Sequence, residues 1–135
     1  MRPRYLLDTN ICIHVIKGDR PGLRRRLAQH PSQRLAMSVI TYGELVLGVE
    51  RSQRRAHSSE ALVLLRRSIH VLSLPVDAGE HYGRIGASLQ AQGTPIGAND
   101  LWIAAHALAA DLTLVSNNTS AFERVDALRL ENWSC

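Results

Sequence analysis

Apolar residues in this chain fall into two patterns: short continuous runs, and stretches where they recur every three or four positions. The first suits a buried strand, the second a helix with one covered face. Strands are therefore expected over 4–8, 35–39, 71–74, 112–115 and 128–130, and helices over 11–17, 23–30 and 77–92. Asp19 to Gly22 reads as a turn. Thr41-Tyr42-Gly43-Glu44 has the form of a capping box and opens a helix expected to run to about Arg51. Ser58 or Ser59 is the expected cap of the segment carrying Leu62 and Leu65, ending near Ile69. Asp77 and Glu80 mark the start of the long helix, and Gly93-Thr94-Pro95 its end. Asn99 is the expected cap of a helix through Ile103 to Ala110.

Strands alternating with helices imply an α/β fold, a central parallel sheet covered on both faces with right-handed crossovers. No repeat, low-complexity tract or linker divides residues 1–135, so a single domain is expected. Charges interrupt every apolar stretch before it reaches a membrane-spanning length, and Asp8 breaks the opening run too early for a signal peptide. The expected location is the cytoplasm, with no membrane partner. Cys12 and Cys135 have no metal-ligand neighbours and make neither a disulfide framework nor a zinc site.

Charge alters this picture only slightly. The formal net charge is +4, and Lys17 is the only lysine. Arginines gather at Arg24-Arg25-Arg26, at Arg51 with Arg54-Arg55, and at Arg66-Arg67. Guanidinium forks suit phosphate oxygens, but a solvated helix surface carries the same residues. Charge permits a nucleic-acid partner without demonstrating one.

The chemistry is expected at the carboxyl ends of the strands, where open parallel sheets bind ligands. Asp8 ends the first strand, and Ser116-Asn117-Asn118 ends the 112–115 strand. Glu44 is expected in the first turn of the helix after the second strand, and Asp100 in the first turn of the helix feeding the 112–115 strand. Three carboxylates on one rim repel each other, and a hard divalent cation such as Mg²⁺ or Mn²⁺ compensates. Each acid also has an ordinary reading. Glu44 completes a capping box, and Asp100 suits a helix start. Asp8 is harder to explain that way, because a carboxylate directly after a buried strand is costly without a partner. Asn10, Thr41, Ser116, Asn117 and Asn118 are candidates for orienting the ligands and a water molecule, although singly they are common turn and cap residues. Gly48 shares a helix face with Glu44, and helix packing is the simpler reason for it. His14, His81 and His106 read as ordinary surface or half-buried residues, and Trp102 and Trp133 as packing residues.

Taken together, these segments resemble the VapC toxins of bacterial type II toxin–antitoxin modules, which are PIN-domain endoribonucleases. Leu7-Asp8-Thr9-Asn10 is similar to the family's opening motif. The second is matched by Ser38 to Leu45 with Gly48, the third by Pro95 to Ala104. The fourth is matched by Val115-Ser116-Asn117-Asn118 with Phe122-Glu123-Arg124-Val125, and Leu130-Glu131-Asn132-Trp133 resembles the family ending. The stretch Ser116 to Val125 most resembles the branch that cleaves initiator tRNA in its anticodon stem-loop. The resemblance implies a PIN-type α/β/α sandwich of strand order 3-2-1-4-5. It also implies that Asp8, Glu44 and Asp100 are the catalytic, metal-holding acids. The implied reaction is Mg²⁺- or Mn²⁺-dependent RNA hydrolysis leaving a 5′-phosphate and a 3′-hydroxyl. The implied partners are a VapB antitoxin, a second copy in a homodimer, and operator DNA through the antitoxin only. One departure is Asn118, where many PIN nucleases carry a fourth acid; it adds no charge for a second metal ion.

Two other readings start from the same residues. Receiver domains and haloacid-type phosphatases also place an aspartate at a strand end. They need a lysine near the phosphoryl group, and the phosphatases a second aspartate where this chain has Asn10. A degenerate, non-catalytic binding module is the other alternative, and the intact acid set argues against it.

Overall fold

Leu35, Ala36, Met37 and Ser38 are all buried, as a strand covered on both faces requires. They form β2 of a five-stranded sheet in the computed structural model, which describes residues 1–133. The other strands are β1 (Tyr5–Leu7), β3 (His70–Leu72), β4 (Thr113–Val115) and β5 (Leu130–Glu131). Every pairing is parallel and the order is β3-β2-β1-β4-β5. This is the expected α/β sandwich with strand order 3-2-1-4-5.

The helices are α1 (Thr9–Lys17), α2 (Pro21–Ala28), α3 (Val39–Glu50), α4 (Arg55–Ser68), α5 (Ala78–Ala91), α6 (Ala98–Ala109) and α7 (Thr119–Phe122). The period-two alternation of the strands divides them into two layers. Tyr5, Leu7, Leu35 and Met37 face Ile11 and Cys12 of α1, Leu23 of α2, Leu45 of α3, and Leu62 and Leu65 of α4. Leu6, Ala36 and Leu114 face Leu89 of α5, Ile103, Ala104 and Ala107 of α6, and Phe122 of α7.

Several helix starts differ from expectation. Ser38, not Thr41, caps α3: its hydroxyl accepts from the Ile40 amide at 3.1 Å. A Ser and a Thr three residues apart compete for the same role, and the one directly ending β2 takes it. Gly97, not Asn99, caps α6. Helix α4 starts at Arg55, ahead of Ser58 and Ser59, and Ser58 instead bonds Ser52 across the turn at 2.9 Å. Asp77 does precede α5, without a side-chain capping bond. Gly93, at φ 72°, is the left-handed residue that turns the chain after α5. Trp133 is buried and stacks on His30, as a packing residue should. Cys135 lies outside the described residues.

Candidate active site

Asp8 follows β1 directly. Its amide continues the sheet by donating to the Val115 carbonyl at 3.0 Å. Its side chain then caps α1, Oδ1 accepting from the Ile11 amide at 2.9 Å. The Ser116 hydroxyl, from the end of neighbouring β4, also bonds the carboxylate. A helix N-terminus and two donors would ordinarily hold an aspartate pKa down. Asp8 instead rises from 3.8 to about 6. Burial is the largest cause, with further repulsion from Asp100 and Glu44. Asp8 as a whole is only 3% exposed.

Glu44 sits in the second turn of α3, one turn deeper than expected, because the helix starts at Val39. It is not a capping-box residue. Its Oε1 accepts from the Thr9 hydroxyl at 2.6 Å. Thr9 also lies 3.2 Å from the buried Thr41 hydroxyl. A hydroxyl has one proton, and the short bond to a carboxylate is the stronger use of it. Thr9 therefore donates to Glu44, with the Thr41 oxygen as a second, longer acceptor. Thr41 thus lies one hydroxyl away from Glu44 and does not cap the helix.

Asp100 lies in the first turn of α6 and is half-buried. Burial and then Glu44 raise its pKa. An acid placed only to favour a helix dipole would be lowered instead. The three acids are thus electrostatically coupled: Asp8 to both others, and Asp100 to Glu44. None of the ion pairs among the described residues involves them.

This combination fits a hard cation. The donors are all oxygen, no ion pair among the described residues neutralises them, and the charge of Asp8 and Asp100 is disfavoured as they stand. As placed, the acids are not a closed ligand cage. Among the described residues no group of three His, Cys, Asp or Glu side chains is arranged to hold a metal ion. An ion held partly through water is the arrangement these positions suit, and Mg²⁺ commonly keeps several waters.

The remaining candidates divide. Ser116 is buried, touches Asp8 and accepts from the Asn118 amide at 2.9 Å, so it ties the β4 end to the acids. Asn117 and Asn118 lie half-buried in that same turn. Asn10 is exposed. Thr9 is the residue the sequence reading passed over. Its partner lies 35 positions away, beyond any local pattern. Gly48 is exposed, and a Cβ there would meet nothing within 4 Å, so packing does not explain it. It lines a mostly apolar groove of about 450 Å³ between α1, α3 and α4, with Ile13, Ile16, Leu45, Val49 and Glu44. His106 also departs from expectation, being 1% exposed.

A parallel sheet in this order, with acids gathered at its carboxyl rim, defines a class, and the PIN-domain family model matches residues 5–128. The chain belongs to the PIN-domain family. Within it, ribonuclease VapC1 of Haemophilus influenzae is 40% identical over 96% of this chain and 98% of that protein. The tRNA(fMet)-specific endonuclease VapC of Shigella flexneri is 39% identical over 97% of this chain and 98% of its own. The DNA-bound VapBC structure from Salmonella typhimurium superposes with a TM-score of 0.91, at 36% identity over 97% of this chain and 98% of that chain. The resemblance to VapC extends over nearly the whole chain. Among the described residues no helix is long and apolar enough to cross a membrane.

Proposed function

We propose that this protein is the toxin of a VapBC-type toxin–antitoxin module, a metal-dependent endoribonuclease that cuts the anticodon stem-loop of initiator tRNA in the cytoplasm. The observation that carries the proposal is the mutually repelling set Asp8, Glu44 and Asp100 at the sheet rim, which enters no ion pair among the described residues. The relatives named VapC ribonuclease and tRNA(fMet)-specific endonuclease support the substrate class. The VapBC structures support a VapB-type antitoxin; operator DNA would be contacted through that antitoxin. A homodimer completes the expected assembly.

Asp8, Glu44 and Asp100 would hold one Mg²⁺ or Mn²⁺, partly through water. Such an ion supplies a more acidic bound water and stabilises charge on the phosphoryl oxygen. The chain's own groups make that binding possible. Ser116 and the Ile11 amide hold the Asp8 carboxylate in one orientation. The Thr9 hydroxyl does the same for Glu44, with Thr41 behind it. These bonds reduce the reorganisation left for the moment of binding. Arginines outside the rim hold the RNA backbone, whose unstacked loop bases stay accessible to be read.

The test is cleavage of initiator tRNA by the purified protein. Cleavage in millimolar Mg²⁺, loss of it with a chelator, and loss of it in Asp8→Asn are the expected results. Cleavage that persists in the chelator, or in Asp8→Asn at the wild-type rate, would overturn the assignment.

A further inference from the structure

The third and sixth helices carry one candidate acid each, and one buried polar contact joins them. His106 Nδ1 of α6 lies 2.8 Å from Ser38 Oγ, the cap of α3. Both residues are buried, Ser38 fully and His106 at 1% exposure. The other ring nitrogen, Nε2, is buried and has no hydrogen-bond partner among the described residues.

The bond can run either way, with Nδ1–H donating to Ser38 Oγ or the Ser38 hydroxyl donating to Nδ1. A proton on Nε2 would be a buried donor with nothing to accept it, and orphaned N–H groups are rarer than orphaned acceptors. A proton on Nδ1 instead leaves the buried Ser38 O–H without an acceptor, so each tautomer strands one donor and the Nδ1–Oγ contact is made in both. Ser38 Oγ accepts from the Ile40 amide as well, at 3.1 Å. Burial lowers the pKa of the ring, consistent with a neutral imidazole.

We infer that the His106–Ser38 hydrogen bond is a strut that sets the spacing of Glu44 and Asp100, so that His106 is a positioning residue for the site; this rests on the nuclease reading above. The geometry supports the role. Glu44 lies six residues beyond Ser38 on α3, and Asp100 six residues before His106 on α6. At helical rise, each acid stands roughly 9 Å along its helix from the strut. A tilt of about 10° at the strut would shift an acid by roughly 1.5 Å over that arm. Misplacement on that scale costs on the order of 100-fold in rate.

The test uses His106→Leu, His106→Asn and His106→Gln in the full chain. The asparagine side-chain amide stands where Nδ1 stands and can donate to Ser38 or accept from it; glutamine reaches the Nε2 position instead. In the metal-free protein, amide exchange of residues 40–45 and 100–104 should speed up about tenfold or more in the leucine and glutamine variants. It should stay near wild type in His106→Asn, with Leu6 and Leu114 in the sheet unchanged throughout. Cleavage should follow: kcat falls about 10- to 100-fold in His106→Leu at unchanged KM for RNA, and His106→Asn restores it. In a Ser38→Ala background the leucine and asparagine variants should become equal, because the Ser38 hydroxyl is gone. That pairing also carries the test if His106→Leu alone fails to fold. Uniformly faster exchange including Leu6 and Leu114, no local change, or no rescue by asparagine would overturn the strut. If the wild type cuts no RNA while the local exchange pattern holds, the nuclease reading falls and the helix coupling stands.

Discussion

Asp8 uses one carboxylate for two purposes, capping α1 and facing the other two acids. Its pKa near 6 is above the unfolded value of 3.8, so between these the native state binds a proton that the unfolded state has lost. The contribution to stability is complete below about pH 4 and disappears as pH rises through about 6. Without metal, Asp8→Asn should therefore be more stable than wild type at about pH 7.5, by up to roughly 2–3 kcal/mol, and nearly equal at about pH 4. Asparagine keeps the cap, so the fold should not suffer. Urea melts at the two pH values check this, and equal stabilities at the higher pH would count against a buried, repelled carboxylate. Cleavage should have an acid limb at or below about pH 6, because a bound cation favours the ionised form. Asp8 was legible in the sequence because an acid directly after an apolar strand needs a reason. Thr9 beside it was not, because a threonine opening a helix is unremarkable until its 35-residue partner is seen. Thr9→Val should lower cleavage about tenfold, which is the cost of a freely moving Glu44, and melt within about 1–2 kcal/mol of wild type. An unchanged rate would show that Glu44 needs no anchor.

At the scale of elements, the period of the apolar residues placed each main helix and strand within a few positions. Helix starts were less legible. The Thr41–Glu44 spacing matched a capping box, but Ser38 ended the strand first and took the cap. That shift moved Glu44 into the second turn and freed its side chain for Thr9. Packing between α5 and α6 was not visible in the pattern either. A Cβ on Gly86 would meet Leu101 Cδ2 at 3.1 Å, whereas one on Gly83 would meet nothing within 4 Å. Alanine gains up to about 1 kcal/mol over glycine inside a helix. Gly83→Ala should therefore stabilise the protein by about 0.5–1 kcal/mol in a denaturant melt. Gly86→Ala should gain less, because the Leu101 side chain must give way by a few tenths of an ångström. Equal gains from both would mean that the α5–α6 contact is loose.

For the whole molecule, the sheet order matters because it brings the β1 and β4 ends together, with α3 and α6 arriving beside them. Residues 8, 44 and 100 meet through topology, which no local window of sequence contains. The resemblance to VapC supplied that topology in advance, and the sheet bears it out. His106 was misread for the opposite reason: six residues from Asp100 it shares no face with it, and only the fold carries α6 to Ser38.

The most direct measurement is a Mn²⁺ titration by calorimetry, on wild type and Asp8→Asn at about pH 7.5, where Asp8 is ionised. Saturable binding by wild type, weakened at least about tenfold in Asp8→Asn, is the predicted result. Equal binding by the two proteins, or none by wild type at millimolar Mn²⁺, would contradict a shared cation at Asp8, Glu44 and Asp100.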